Sequence, residues 1–169
     1  PNAWPSAVSQ ELPSEFKFPY QSKYKDFTDK HFVTIDGEDA KDFDDAVLCE
    51  RTSQGFTLSV AIADVSGAVI PNTAMDKEAR KRGTSIYFPG LVIPMLPEAI
   101  SNNICSLVPH QNRNTVVCQI MFDDDGDINK FDFVLATIES KHRLTYSEVE
   151  SFVTERQVLS LPEVESSIS

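Results

Sequence analysis

The sequence predicts an α+β domain with a mainly antiparallel sheet and flanking helices. Three observations carry this. Phe56, Leu58, Val60 and Ile62 alternate with Thr57, Ser59 and Ala61, the period-two pattern of a half-buried strand. Thr115–Phe122 and Ile128–Glu139 flank the polar run Asp123-Asp124-Asp125-Gly126-Asp127, which reads as a long β-hairpin. Thr73 with Asp76, and Thr145 with Glu148, carry capping-box spacing ahead of helical runs.

The elements follow in order. Residues 1–30, rich in Pro, Ser and Lys, read as a linker or wrapping segment with little regular structure, and residues 31–169 as the folded unit. The opening Pro1-Asn2-Ala3-Trp4-Pro5 has no signal-peptide character and reads as an interior cut. His31–Asp36 is a short strand, Gly37 permits a sharp turn, and Ala46–Cys49 is a second strand. Asp64 continues an apolar phase and must be hydrogen-bonded or metal-bound if buried. The helix after Thr73 stops at Gly83, and Arg80, Lys81 and Arg82 suit the negative end of its dipole; Arg80 and Arg82 are also candidates to meet phosphates. Ile93-Pro94-Met95-Leu96-Pro97 is a proline-pinned extended stretch. The Asp-rich hairpin turn is not a calcium loop: counting from Asp123, Gly126 falls at the fourth position where an EF-hand needs its glycine at the sixth. Val149, Phe152 and Val153 make an apolar helical stripe, and the polar tail from Pro162 is expected to fray.

Composition narrows the class. With 41% hydrophobic and 24% charged residues among 169, the chain can bury one real core. No apolar run is long enough for a membrane span. Cys49, Cys105 and Cys118 are scattered, so a disulfide framework or zinc site is not expected; they read as small buried hydrophobes, and a reducing cytoplasm fits. The net charge of −11 argues against a nucleic-acid surface until the acids are located. Six of the ten residues from Asp36 to Asp45 are carboxylates, opposed only by Lys41.

That cluster carries the chemistry. Hard divalent cations take oxygen ligands, and a paired site needs several carboxylates. Asp36 ends a strand. Asp42 and Asp44 point the same way on extended backbone while Asp45 points away, so a bend is needed to gather the set. Phe43 can anchor that bend in the core. No His or Cys lies in the cluster, which disfavours zinc. A solvated acidic loop is the alternative; flanking apolar strands and the interposed Phe43 weigh against it.

The segment Thr34-Ile35-Asp36-Gly37-Glu38-Asp39-Ala40-Lys41-Asp42-Phe43-Asp44-Asp45-Ala46-Val47 resembles the active-site segment of the ribonuclease II/ribonuclease R family of processive 3′→5′ exoribonucleases, and is nearest to its bacterial ribonuclease R branch. The resemblance continues through Ala61-Ile62-Ala63-Asp64-Val65-Ser66, Gly83-Thr84-Ser85-Ile86-Tyr87-Phe88-Pro89-Gly90, Ile93–Pro97, Cys105-Ser106-Leu107 and Arg143-Leu144-Thr145-Tyr146. It implies the N-terminal part of a catalytic domain, with Asp36, Asp42, Asp44 and Asp45 as metal and catalytic carboxylates. The implied cofactor is Mg²⁺, with Mn²⁺ able to take its place. The resemblance also implies that Tyr87 stacks near the 3′ end of single-stranded RNA and that Tyr146 lies near the sugar. His31, His110 and His142 are given no catalytic role.

The resemblance implies hydrolysis of RNA to nucleoside 5′-monophosphates in the cytoplasm, without a membrane. The full-length protein is expected to add the rest of the catalytic domain, with its phosphate-holding arginines, and cold-shock and S1 domains. A catalytically inactive RNA-binding or scaffold member of the family, and a calcium-stabilised structural module, are the alternatives.

Overall fold

The computed structural model describes residues 3–12 and 21–155; the frayed tail expected from Pro162 lies outside them. Its frame is a seven-stranded sheet. The strands are β1 (Lys25–Phe27), β2 (Val33–Asp36), β3 (Asp45–Thr52), β4 (Gly55–Ala63), β7 (Asn112–Phe122), β8 (Ile128–Glu139) and β9 (His142–Thr145). A separate two-stranded hairpin joins β5 (Ile86–Phe88) to β6 (Leu91–Ile93). The helices are α1 (Ser6–Glu11), α2 (Val65–Ala68), α3 (Ala74–Arg82) and α4 (Tyr146–Glu155).

The sheet order is β1-β8-β7-β4-β3-β2-β9. β3, β4, β7 and β8 form the expected antiparallel ladder, and parallel pairs, β1 on β8 and β2 on β9, close its two edges. The fold is therefore α+β, as the patterning indicated. The β7–β8 turn is a solvated hairpin turn in which Asp123 Oδ1 accepts from the backbone N–H groups of Asp125 and Asp127.

Two features go beyond what residue order shows. The first concerns residues 1–30. α1 packs on α3 and buries Val8, the Trp4 ring lies 3.7 Å from the Arg82 guanidinium, and β1 adds a strand to the sheet. These elements are three to six residues long, too short to show a period, and are held by contacts distant in sequence. The second concerns β4. Its buried side carries Ser59, Ala61 and Ala63, while Ile62 is 48% exposed. Small side chains let Phe32, Phe43, Leu96, Ile100 and Leu107 pack close on the inner face, so the larger residues lie outward. Across the ladder, Phe131 pairs with Ile120 and Phe133 with Cys118, and both phenylalanines are exposed on that same outer face. α4 covers only one end of this face, where Val149 meets Val33, Val47 and Leu144.

The helix signals hold. Thr73 Oγ1 accepts from Asp76 N, and Gly83, with φ at 77°, ends α3 in a conformation that side chains resist. Arg82 is not available to phosphate: it bonds Glu78 and the Pro94 carbonyl and stacks on Trp4. Arg80 is exposed and pairs with Asp76. Asp64 is buried and satisfied, capping α2 through Gly67 N and accepting from the Ser66 and Tyr24 hydroxyls. Asp64 is thus fully engaged in hydrogen bonds. The proline-pinned stretch is extended only through Ile93, and bends follow at Met95 and Leu96. All three cysteines are free; Cys105 is buried, whereas Cys49 and Cys118 are only partly so. No described helix is long and apolar enough to cross a membrane.

Candidate active site

The acidic loop is built between two strands. β2 ends at Asp36, the chain turns at Gly37, where Ala40 N donates to the Gly37 carbonyl, and β3 starts at Asp45. Phe43 anchors the return. Its side chain joins the core, its N–H donates to Ser106 Oγ at 3.1 Å, and its carbonyl accepts from Leu107 N at 2.8 Å. Next to it, the Asp44 carbonyl accepts from Ala63 N at 2.9 Å, which fixes the loop to the end of β4. An apolar side chain, two backbone–backbone bonds and one backbone bond to a serine hydroxyl thus hold the segment between Asp42 and Asp45.

The four aspartates do not share one environment. Asp36 and Asp42 are half-buried, whereas Asp44 and Asp45 are exposed. Asp42 and Asp44 line a cleft of about 310 Å³ together with Ser85, Tyr87, Met95 and Ser101. Asp45 pairs in register with Ile62, so it begins β3 on the outward face that β4 shows there. Burial, and next the Asp45 charge, raise the proton affinity of Asp36; the Arg143 guanidinium opposes this, and Asp42 and Asp44 add to it. Asp44 is exposed on the cleft, yet partial desolvation, then Asp42 and Asp45, raise its proton affinity. The four carboxylates therefore feel one another's charge.

The donor set suits a hard cation. All four groups offer carboxylate oxygens, their mutual repulsion is relieved by positive charge, and Asp36 Oδ2 is buried without a hydrogen-bond partner. The set is nevertheless not closed: among the described residues, no three His, Cys, Asp or Glu side chains are grouped tightly enough to hold an ion as placed.

The two tyrosines flank this loop. Tyr87 lies on β5, is 67% exposed, and its hydroxyl donates to Asp42 Oδ2 at 3.4 Å. Pro89 and Gly90 turn the β5–β6 hairpin, and Gly90 takes a φ of 75° there. Tyr146 is 64% exposed at the first position of α4. β9 runs parallel to β2 with Thr145 beside Asp36, so Tyr146 follows directly after the residue paired with that aspartate. The capping box fixes this corner: Thr145 N donates to Glu148 Oε2 at 2.7 Å, and Glu148 N to Thr145 Oγ1 at 3.3 Å. Neither ring is part of the core, and both are largely exposed.

Sequence reasoning gave no role to Arg143 or Ser106, although both stand in motifs that it singled out. Neither has a local pattern that announces its partner, since Ser106 lies 63 residues from Phe43 and Arg143 lies 105 from Glu38.

Comparison with known proteins shows the family. A model of the RNB domain matches residues 24–168. Ribonuclease R of Escherichia coli (strain K12) is 48% identical over 153 residues, covering 88% of this chain and 19% of that protein. Ribonuclease R of Mycoplasmopsis pulmonis is 52% identical over 133 residues, covering 79% of this chain and 18% of that protein. Among solved structures, Mycoplasma genitalium ribonuclease R in complex with double-stranded RNA superposes with a TM-score of 0.91 at 38% identity, covering 98% of this chain and 30% of that one. The chain thus spans about a fifth of the length of the relatives it matches.

Proposed function

The chain belongs to the RNB domain family, and from that premise we propose that it supplies the metal-binding part of a 3′→5′ exoribonuclease acting on single-stranded RNA. The observation that carries the reading is the acidic loop: Phe43 is locked between Ser106 and Leu107, with Asp42, Asp44 and Asp45 on either side of it, and Asp36 Oδ2 is buried without a partner. Asp36, Asp42, Asp44 and Asp45 would hold Mg²⁺, with Mn²⁺ able to substitute. When bound, the cation supplies charge stabilisation at the scissile phosphate and a lowered pKa for an attacking water.

The protein's own part is placement. The bonds at Phe43 and Asp44 fix the backbone between Asp42 and Asp45, which limits the reorganisation left to the side chains. The exposed Tyr87 ring offers a stacking face for a base beside Asp42, a contact worth roughly 1–3 kcal/mol in single-strand binding. Tyr146 stands at the Asp36 end, where it can meet the ribose and favour RNA over DNA. The products are nucleoside 5′-monophosphates, and the cytoplasm is the proposed location. In the longer protein, the remaining catalytic domain and cold-shock and S1 domains would supply the positive surface that a chain of net charge −11 lacks.

The fold alone does not carry the activity, since one fold hosts active and inactive members. The full set of four aspartates favours the active reading over a binding-only or scaffold role. The test uses 5′-labelled single-stranded RNA and the intact protein. Stepwise shortening from the 3′ end, stopped by chelation and restored by Mg²⁺ or Mn²⁺, is expected. RNA binding with no hydrolysis in either metal would favour the scaffold role, and a response to Ca²⁺ confined to stability would favour a calcium-stabilised structural module.

A further inference from the structure

We propose that Arg143 is a positioning residue that holds the two halves of the acidic loop in one frame, an inference that rests on the metal-site reading above. Arg143 lies on β9, in register with Thr34 of β2. Its Nη2 donates to the carbonyls of Gly37 at 3.0 Å and Glu38 at 2.6 Å. Its guanidinium also lies 5.3 Å from the centre of the Phe43 ring. One side chain therefore touches the turn after Asp36 and the anchor between Asp42 and Asp44.

The loop needs such a clamp. Gly37, Glu38 and Asp39 are exposed, and the backbone bond from Ala40 N to the Gly37 carbonyl closes only the turn itself. The Phe43 half is fixed to Ser106 and Leu107, whereas the Gly37–Glu38 half takes its outside hydrogen bonds from Arg143. The strands do not depend on it, because β2 and β9 pair through backbone along four register positions. The cation donates here to carbonyls rather than to a carboxylate, so the aspartate oxygens stay free for a ligand. Arg143 Nε and Asp36 Oδ2 are both buried without a hydrogen-bond partner. This leaves the Asp36 oxygen uncommitted near a fixed positive charge.

A planar guanidinium whose Nη2 reaches two carbonyls while its plane lies by an aromatic ring is not replaced by lysine. Arg143→Lys is the informative variant because it keeps the charge and removes the planar guanidinium. Removing the charge as well would by itself favour cation binding and blur the result. The experiment compares the wild-type chain with Arg143→Lys by hydrogen exchange of the backbone amides at residues 38–42, and by Mn²⁺ titration followed by electron paramagnetic resonance.

The expected result is several-fold faster exchange in that segment and Mn²⁺ affinity lower by about tenfold, with the β-sheet circular dichroism unchanged. Unchanged exchange and unchanged affinity would overturn the proposal. Global unfolding of both Arg143→Lys and Arg143→Gln would overturn it too, by making Arg143 a residue of the fold. Should the wild-type chain bind no Mn²⁺ while the exchange difference appears, the positioning role stands and the metal reading fails.

Discussion

The Tyr87 hydroxyl donates to Asp42 Oδ2 at 3.4 Å, linking the exposed β5–β6 hairpin to the acidic loop. The bond is long and solvent-facing, so it orients more than it stabilises. Partial burial, followed by the Asp42 charge, raises the proton affinity of the phenol, and a hydrogen bond with Ser85 opposes this. Tyr87 thus has two separable parts: a ring face for stacking and a hydroxyl aimed at a carboxylate.

Replacing each part tests the division. Tyr87→Phe is expected to leave the affinity of the intact protein for single-stranded RNA within about twofold. Tyr87→Ala should weaken it by roughly 10-fold or more, as loss of one stacked base implies. Fluorescence anisotropy with a labelled oligonucleotide checks both. Equal losses in the two variants would place the binding contribution on the hydroxyl and not on the ring.

Glu11 connects α1 to the start of α3. Its carboxylate accepts from Ala74 N and Met75 N, both at 2.8 Å, where the helix dipole favours negative charge. The Ala74 bond, then the Met75 bond, hold its carboxyl below the usual value of 4.5. A depressed carboxyl contributes stability above its unfolded value and loses it as pH falls through the folded one. Glu11→Gln should therefore lower the melting temperature by a few degrees at pH 7, with the difference shrinking below about pH 4.5. A difference that persists undiminished at pH 3 would show that the carboxylate charge is not what docks α1.

The outward face of the sheet has its own consequence. Phe131 and Phe133 are 62% and 64% exposed, their rings meet edge-to-face, and Ile62 lies on the same side. Apolar surface of this kind favours self-association. Light scattering after gel filtration should show the 169-residue chain forming concentration-dependent oligomers. A Phe131→Lys, Phe133→Lys double variant should shift it towards monomer. A wild-type monomer at high concentration would refute the idea that this face is sticky.

Much of this was readable from residue order alone, for physical reasons that differ by element. The β7–β8 hairpin and both capping boxes were legible because turns and caps are local chemistry. The membership of β4 was legible from its alternation, but its inward face was not. A period-two pattern states that two faces differ; which one is covered depends on what packs there, and here small residues admit the Phe32 and Leu107 cluster. The short elements before residue 30 left no pattern, because Val8, Trp4 and Glu11 act on partners far along the chain. Arg82 could be either a phosphate contact or a dipole-complementing charge, because a basic helix end is ambiguous until Trp4 is seen stacked on it. In the acidic loop, Phe43 was legible as the anchor, whereas its partner Ser106 and the clamp Arg143 were not.

The most direct measurement is on Asp44, which sits beside the Phe43 anchor with its carbonyl tied to Ala63 and its carboxylate on the cleft. Asp44→Asn keeps the shape and removes one charge where cation and phosphate would meet. In the intact protein with Mg²⁺, release of nucleotides from labelled RNA should fall by at least about 100-fold, the scale of a lost electrostatic contact in a transition state. RNA affinity, spread along stacked bases, should change by less than about threefold. Wild-type turnover in Asp44→Asn would contradict the assignment of the acidic loop as the active site.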